Sequence, residues 1–361
     1  QSLNFLVVVD LSEVAHDDES TLNNVCHKLA SGVPDAMSFK SFSLNFELAF
    51  GIAISDASGN NVSEIISYAE DALLGGLTSQ SGIHYFDKTT VLNTHKQLAR
   101  MEKLSDDIVD EKLSWYLQPQ INVNDNCIIG FQLKVHWYEH DGKPLELTDF
   151  ASLAEHSGEV YLLTKQMLKQ AFETLSLLHR RGLNLTVSVS MTSKDLFEAD
   201  LVDFIEQQIT KYGMSGKYLM IELTEEVILS AGQRAKETID QLKSLDITIA
   251  IANFSGSYES LRYIRKMAIH QVKVNCQQLT NDSENRVDKA ITNALITLTR
   301  SMKIPLIGTH IDKDDSAKAY ISMGGKYIQG DIISSGVVPE ELDIWLDKWL
   351  IQLSKTKRTY L

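Results

Sequence analysis

The sequence is poor in the residues that mark secreted and membrane proteins. It has only three cysteines in 361 residues, and Cys26, Cys127 and Cys276 are too far apart for a disulfide framework or a zinc site. No apolar run reaches the length of a transmembrane helix, and no signal peptide is present. We therefore predict a cytoplasmic protein. Because the chain begins at Gln1 rather than at methionine, we expect a fragment of a longer protein, and the cytoplasmic part of a membrane-anchored protein is an alternative.

Basic residues are also scarce. Lys and Arg number 34 against 48 Asp and Glu, which gives a formal net charge of -14. Nucleic acids and anionic membranes attract basic surfaces, so we expect no direct nucleic-acid binding. The hydrophobic fraction of 43% and the charged fraction of 23% are those of a globular protein, and the length suggests two domains.

The chain after residue 108 alternates strand and helix patterns. Ile247, Ile249 and Ile251 alternate with small or polar residues, which predicts a buried strand, and residues 161–181 form a strongly amphipathic helix. Strands are predicted at residues 115–120, 128–137, 185–191, 218–223, 247–252, 272–274, 305–308 and 327–328. About eight strands separated by helices favour an α/β barrel. An open doubly wound sheet is the alternative, but no glycine-rich phosphate loop follows the first strand.

The first 92 residues carry a different pattern. Strands are predicted at residues 5–9, 46–54 and 82–86, and helices at residues 18–30 and 62–73. A charged segment with apolar residues at helical spacing follows, and it predicts a linker helix at residues 93–108.

Seven short motifs stand in a fixed order after residue 108: Trp-Tyr-Leu-Gln-Pro at 115–119, Gly-Phe-Gln-Leu-Lys-Val-His-Trp at 130–137, Ala-Glu at 154–155, Ile-Glu-Leu-Thr-Glu at 221–225, Val-Lys-Val-Asn at 272–275, Gly-Thr-His-Ile-Asp at 308–312 and Gln-Gly at 329–330. Together they resemble the motifs of the EAL family, the cyclic di-GMP phosphodiesterases. The resemblance implies an EAL-type (β/α)8 TIM-like barrel over residues 109–361.

The chain differs from the family at the family's metal-binding positions. The resemblance implies six ligand positions for two divalent cations, and only Glu222 keeps its carboxylate. The other five positions hold Gln132, Ser190, Ala252, Asn253 and Thr309. Because hard cations require several oxygen ligands, mostly carboxylates, the resemblance predicts no metal, no cofactor, no intact catalytic set and no enzymatic activity.

Three catalytic remnants are retained, namely Glu222, Glu225 and Lys273. We interpret Glu222 and Lys273 as a buried ion pair, because a buried charge left unpaired is costly. Glu225 is interpreted as a residue that orders the neighbouring loop. Gln118, Gln132, Lys134, His136 and Gln329 are the candidates for binding a nucleotide. A different metal site, built from His136, Glu222 and His310, is a less favoured alternative.

The N-terminal segment has its own resemblance. Phe-Gly-Ile-Ala at 50–53 and Tyr-Ala-Glu-Asp-Ala-Leu at 68–73 resemble motifs of the GGDEF family of diguanylate cyclases. The signature of that family falls at residues 1–5, where only Phe5 agrees, so cyclase activity is not expected. Another alignment takes residues 5–11 as the first strand of the domain. We predict a partial, degenerate α+β GGDEF-like domain at residues 1–92.

These resemblances predict a noncatalytic GGDEF–EAL module in a bacterial cyclic di-GMP pathway. Its partner would be a regulatory protein whose identity is unknown, and a homodimer is a further possibility. The alternative is a receptor that binds cyclic di-GMP at the barrel mouth, and residual phosphodiesterase activity is less favoured.

Overall fold

The computed structural model describes residues 5–9, 18–32, 36–39, 42–45, 48–54, 62–78, 83–86, 88–139, 142–230, 232–279 and 286–355. The chain divides into two compact units, Gln1–Arg100 and Met101–Leu361. No helix in these ranges has both the length and the apolar character that a bilayer crossing requires.

In its described residues the first unit contains two short sheets, two complete helices and the beginning of a third. Its elements are α1 (Asp18–Ser31), β1 (Ala36–Phe39), β2 (Phe42–Asn45), β3 (Phe50–Ile52), α2 (Val62–Thr78) and β4 (Ile83–Tyr85). Strands β1 and β2 are antiparallel, whereas β3 and β4 are parallel. Gly51 lets β3 pack directly on α2, since a Cβ there would lie 2.2 Å from the carbonyl oxygen of Ala69. The helix predictions for this unit are confirmed.

Two strand predictions in this unit need correction. Residues 5–9 lie in no strand, and Phe5 and Val8 are 84% and 87% exposed. An apolar, β-branched run becomes a strand only where another strand pairs with its backbone, and the described residues provide none here. The strand predicted at residues 46–54 is confined to Phe50–Ile52. Residues 1–4, where most of the GGDEF signature would fall, and residues 46–47 lie outside the described residues.

Helix α3 (Lys88–Val109) contains the segment predicted as a linker helix. Its last turns, from Met101 onward, belong to the second unit. Leu104 and Ile108 are fully buried there. Asp107 accepts hydrogen bonds from the indole of Trp137 at 2.9 Å and from the ammonium of Lys103 at 2.9 Å. This end of the helix is therefore packed on the second unit.

Eight strands of the second unit close into a barrel. They are β5 (Ser114–Asn122), β6 (Cys127–Tyr138), β8 (Thr186–Ser190), β9 (Leu219–Thr224), β10 (Thr248–Ala252), β11 (Gln271–Asn275), β12 (Leu306–Thr309) and β13 (Tyr327–Ile328), and β7 (Pro144–Glu146) is a short addition beside β6. Strand β5 is antiparallel to β6 and β13 and closes the ring, while the others run parallel. The predicted α/β barrel is confirmed.

Helices surround the barrel and bury its outer face. They are α4 (Leu147–Ser157), α5 (Val160–Arg180), α6 (Leu201–Tyr212), α7 (Glu225–Ser230), α8 (Gln233–Ser244), α9 (Tyr258–Met267), α10 (Arg286–Met302), α11 (Asp314–Ser322) and α12 (Leu342–Lys355). Helix α5 buries eleven residues, as its amphipathic pattern predicts. The sequence patterns did not predict α7 or α12. The carboxyl ends of the parallel strands meet at one rim of this barrel, which we call the mouth.

Candidate functional site

Alternating side chains of β5 and β6 decide which residues face the barrel interior. Leu133 and Val135 are each 1% exposed and belong to the hydrophobic core. Because side chains alternate along a strand, Gln132, Lys134 and His136 share the opposite face. Gln132 contacts Glu222 across the barrel, so that face points inward. The direction of Lys134, which the sequence left open, is therefore toward the mouth.

Gln329 is the centre of a buried network of amides below the mouth. Its Nε2 donates to Gln118 Oε1 at 2.9 Å and also to Gln132 Oε1, and its Oε1 accepts from Gln120 Nε2 at 3.0 Å. Gln118, Gln120 and Gln329 are at most 4% exposed. Such a network of satisfied donors and acceptors fixes the side chains that it joins. Sequence reasoning missed Gln120, although its position two residues after Gln118 puts it on the same strand face.

The backbone beside Gln329 explains the glycine that follows it. A Cβ at Gly330 would lie 2.3 Å from the carbonyl oxygen of Ile311. The amide of Gln329 donates to the carbonyl of Gly308 at 2.9 Å. Glycine is therefore required for this close approach, which holds Gln329 in place.

Glu222 and Lys273 form a buried ion pair in the barrel interior. The ammonium of Lys273 donates to Glu222 Oε1 and, at 3.2 Å, to Gln329 Oε1. The side chains of Lys273 and Glu222 are 3% and 1% exposed. On the intervening strand β10, Ala250 is in register with Glu222, and its small side chain leaves room for the lysine. Burial lowers the pKa of Lys273, and the contact with Glu222 opposes that shift.

The second carboxylate oxygen of Glu222 is also occupied. Gln132 Nε2 donates to Glu222 Oε2 at 2.9 Å and lies 3.5 Å from Ser190 Oγ. The structure thus brings together three of the six positions that the family resemblance assigns to metal binding. The groups present are one carboxylate, one amide and one hydroxyl.

The remaining three positions contribute little to a metal centre. Ala252 has no side-chain donor atom, and Asn253 is exposed with a φ of 53°. The hydroxyl of Thr309 donates to the carbonyl of Val274 at 3.1 Å. In the part of the chain that the structure describes, no three His, Cys, Asp or Glu side chains form a group that could hold a metal ion. The donor set does not fit a centre of two divalent cations, which would need several carboxylates.

Lys134 and His136 lie nearer the rim. Lys134 Nζ is 3.3 Å from Glu146 Oε2, and the two side chains are 17% and 48% exposed. The imidazole of His136 packs on the ring of Tyr116 with centroids 4.4 Å apart, and its buried Nε2 has no hydrogen-bond partner among the described residues. Burial lowers the pKa of His136, so the ring is neutral near pH 7. Lys134 therefore provides the positive charge at this part of the rim.

Glu225 is held at the end of β9 by hydroxyl and amide donors. Its carboxylate accepts from the hydroxyls of Ser255 at 3.0 Å and Ser257 at 2.8 Å, and also from Ser260 and the backbone amide of Ser255. Burial alone raises the pKa of Glu225, but these hydrogen bonds outweigh it, and the net pKa is lowered. The loop at residues 253–257 borders a groove of about 680 Å³ whose lining includes Thr224, Glu226 and Asn253.

Comparison with known proteins identifies the class. The EAL domain model matches residues 101–335, well over half of the chain. The chain therefore belongs to the EAL domain family. The first 100 residues lie outside the match, and no comparison shows a GGDEF domain there.

Individual relatives are distant and mostly longer. The chain is 21% identical over 297 residues to the signaling protein YkoW of Bacillus subtilis, and the match covers 82% of the chain and 37% of YkoW. It is 20% identical over 343 residues to MucR of Pseudomonas aeruginosa, a bifunctional diguanylate cyclase/cyclic di-GMP phosphodiesterase, with 94% of the chain and 49% of MucR covered. The chain thus spans less than half the length of these two relatives.

Solved structures confirm the barrel fold. The EAL enzyme Bd1971, in a form with cAMP and cyclic di-GMP bound, matches with a TM-score of 0.63 at 19% identity over 70% of each chain. The phosphodiesterase of MucR in complex with cyclic di-GMP matches with a TM-score of 0.61 at 19% identity, covering 67% of this chain and 99% of that one.

The comparisons overturn one prediction. The chain resembles NbdA of Pseudomonas aeruginosa, PdeL of Escherichia coli and PdeB of Shewanella oneidensis at 20–22% identity, and all three are named cyclic di-GMP phosphodiesterases. The prediction that the chain is not an enzyme is therefore wrong, since these relatives favour an enzyme. The prediction relied on residue types at ligand positions, which describe metal binding and do not measure turnover. Glu222 and Lys273 remain in contact in the barrel interior.

Proposed function

We propose that this chain is a cyclic di-GMP signalling protein whose barrel mouth binds the nucleotide. The observation that carries the proposal is the inward row of Gln118, Gln132 and Lys134, with Gln329 buried beside it. Cyclic di-GMP presents two anionic phosphodiesters and the hydrogen-bonding edges of two guanines. An ammonium matches the first. The amides of Gln118, Gln132 and Gln329 already bond to one another and to Glu222, and they form the floor beneath the bound nucleotide.

Lys134 is the residue that we assign to a phosphate. His136 is a neutral imidazole near pH 7 and cannot balance a phosphate charge. The present partner of Lys134 is Glu146, which is 48% exposed and no nearer than 3.3 Å. Ion pairs of this exposed kind contribute about 0–1 kcal/mol, so exchanging Glu146 for a phosphate costs little.

Isothermal titration of the full chain with cyclic di-GMP tests the proposal. We expect binding by the wild-type chain and at least a tenfold weaker affinity for Lys134→Ala, which corresponds to about 1.4 kcal/mol. Lys243→Ala is the matched control, because Lys243 also pairs with an acidic residue and is 25% exposed, yet lies in the last turn of α8 at the opposite end of the barrel.

The outcomes separate the two claims. A wild-type chain that shows no heat with the nucleotide would reject the proposed function. A Lys134→Ala chain that binds as well as Lys243→Ala would reject the assignment of Lys134 alone. Because several relatives are named phosphodiesterases, the same samples are also assayed for the linear dinucleotide that hydrolysis would release.

Other parts of the sequence interpretation stay predictions. These are the domain boundaries at 1–92, 93–108 and 109–361, with the first segment as a partial GGDEF-like domain. A regulatory protein partner, a homodimer and a cytoplasmic location also stay predictions.

A further inference from the structure

We infer that the mouth binds cyclic di-GMP without a divalent cation, because the ammonium of Lys273 occupies the carboxylate that a metal ion would need. The inference rests on the proposed function and adds a statement about metal dependence.

Both oxygens of Glu222 are already committed. Oε1 accepts from the Lys273 ammonium, and Oε2 accepts from the Gln132 amide nitrogen at 2.9 Å. A cation that takes the place of this ammonium at Glu222 must displace a group that is 3% exposed and also donates to Gln329. Displacement would leave a buried charge without its partner, which is strongly unfavourable.

The other five positions supply no second carboxylate. Gln132 directs its nitrogen to Glu222, while its Oε1 accepts from Gln329. Ala252 contributes no donor atom, and the hydroxyl of Thr309 donates to a backbone carbonyl. A hard cation that requires six or more oxygen ligands finds one carboxylate here, and that carboxylate is engaged.

Charge balance leads to the same conclusion. Several carboxylates around one site repel one another unless cations lie between them. Here Glu222 is the only carboxylate of the six positions, and Lys273 neutralises it. A divalent cation added beside this pair would face an ammonium at short range. The attraction for a phosphate comes instead from Lys134 at the rim.

Two measurements test the inference on the full chain. In the first, cyclic di-GMP is titrated by calorimetry in EDTA and then in buffer with Mg²⁺ or Ca²⁺. We expect dissociation constants that agree within about twofold. In the second, Mn²⁺ alone is titrated and followed by electron paramagnetic resonance, with Glu222→Gln beside the wild-type chain. We expect the same Mn²⁺ uptake in both.

The two measurements distinguish a failure of the inference from a failure of the proposed function. Binding that appears only with a cation would overturn the inference and leave the function standing. A Mn²⁺ site present in the wild-type chain and lost in Glu222→Gln would overturn the inference by itself. Absence of nucleotide binding in every buffer would reject the proposed function and, with it, the inference. Because Glu222→Gln can perturb folding, its melting temperature is measured first. Gln132→Leu serves as a second variant, since it removes the amide and leaves the ion pair. We expect the same Mn²⁺ uptake for it.

Discussion

Two buried glutamates lie three positions apart and are stabilised in different ways. Glu222 in β9 is paired with the Lys273 ammonium, and Glu225 at the start of α7 is surrounded by three serine hydroxyls and one backbone amide. The first charge is cancelled by an opposite charge. The second is stabilised by dipoles and remains a net charge. The difference assigns different tasks to the two residues.

In the Glu222 pair the ammonium of Lys273 cancels the charge of the carboxylate, which is the basis of the metal-independent binding that we propose. The Glu225 cluster instead orders the segment from Ser255 to Ser260, because every donor in it comes from that segment. Ser257 also caps α9 by accepting from the backbone amide of Ser260 at 3.2 Å. These hydrogen bonds therefore hold one wall of the groove beside this loop.

The largest expected effect comes from breaking the ion pair. Lys273→Met leaves Glu222 buried without its cation, and we expect a loss of about 3–5 kcal/mol in the free energy of unfolding. Urea denaturation measures it. Lys318→Met, an exposed lysine on α11 that lies 3.9 Å from Asp314, is the control and should change stability little. A Lys273→Met chain as stable as the control would show that the pair does not stabilise the barrel.

Removing the dipole-stabilised carboxylate should cost less. Glu225→Ala leaves the serine hydroxyls without their acceptor, and we expect a loss of about 1–3 kcal/mol in the free energy of unfolding. Hydrogen exchange at residues 255–260 should accelerate selectively. Glu225→Gln keeps one acceptor oxygen, so its free energy of unfolding should lie between those of the wild-type chain and Glu225→Ala. Uniform acceleration across the barrel would contradict a local role for Glu225.

A third buried carboxyl, that of Asp195, differs from both glutamates because it should make the stability of the chain depend on pH. Asp195 has no exposed surface, and its Oδ2 accepts from the Thr192 amide at 2.7 Å and from the Thr192 hydroxyl at 3.0 Å. Burial raises the pKa of Asp195 to about 6, with hydrogen bonds from Thr192 and Thr164 opposing the rise and the charge of Glu155 adding to it.

The difference between the folded and unfolded pKa values of Asp195 decides how its contribution to stability changes with pH. The folded chain holds the proton more tightly than the unfolded chain, so the stabilisation is present below the ordinary aspartate pKa and is lost as pH rises through about 6. Asp195→Asn should remove this loss and flatten stability between roughly pH 4 and 6. Denaturation series at several pH values measure the slope. An unchanged slope would show that Asp195 does not titrate in this range.

The smallest effect concerns the cap of α9. Ser257→Ala removes one acceptor at the helix terminus and one donor to Glu225, so we expect a loss of about 1 kcal/mol. The melting temperature reports it. Ser301→Ala, an exposed serine in α10 that donates within its own helix, should leave the melting temperature unchanged. Equal shifts in both variants would contradict the capping role.

The barrel was predictable because its strands carry strong local patterns. The alternation of Ile247, Ile249 and Ile251 is such a pattern, and β10 forms there. Residues 5–9 have an equally apolar pattern but lie in no strand, because pairing depends on a neighbour that local sequence does not specify. Alternation also places Lys134 and His136 on one face without saying which face points inward. Only the contact of Gln132 with Glu222 decides that.

The site was predictable only in part for a similar reason. Motif positions indicate Gln118 and Gln329, whereas Gln120 joins the network through its contact with Gln329, which follows the neighbouring strand β13. Helix α12 has mixed apolar and polar residues after the last strand, and its packing through Leu342 and Leu346 is a tertiary property. Residue types at the metal positions led to a wrong prediction about enzymatic activity, which the named relatives correct.

A double-mutant cycle on Glu222 and Lys273 tests most directly whether the ammonium takes the role of a metal ion for this carboxylate. The free energy of unfolding is measured in EDTA for the wild-type chain, Lys273→Met, Glu222→Gln and the double variant. We predict a coupling energy of at least about 2 kcal/mol, with the double variant more stable than Lys273→Met. A coupling energy near zero, or a wild-type chain that gains stability only when Mg²⁺ replaces EDTA, would contradict it.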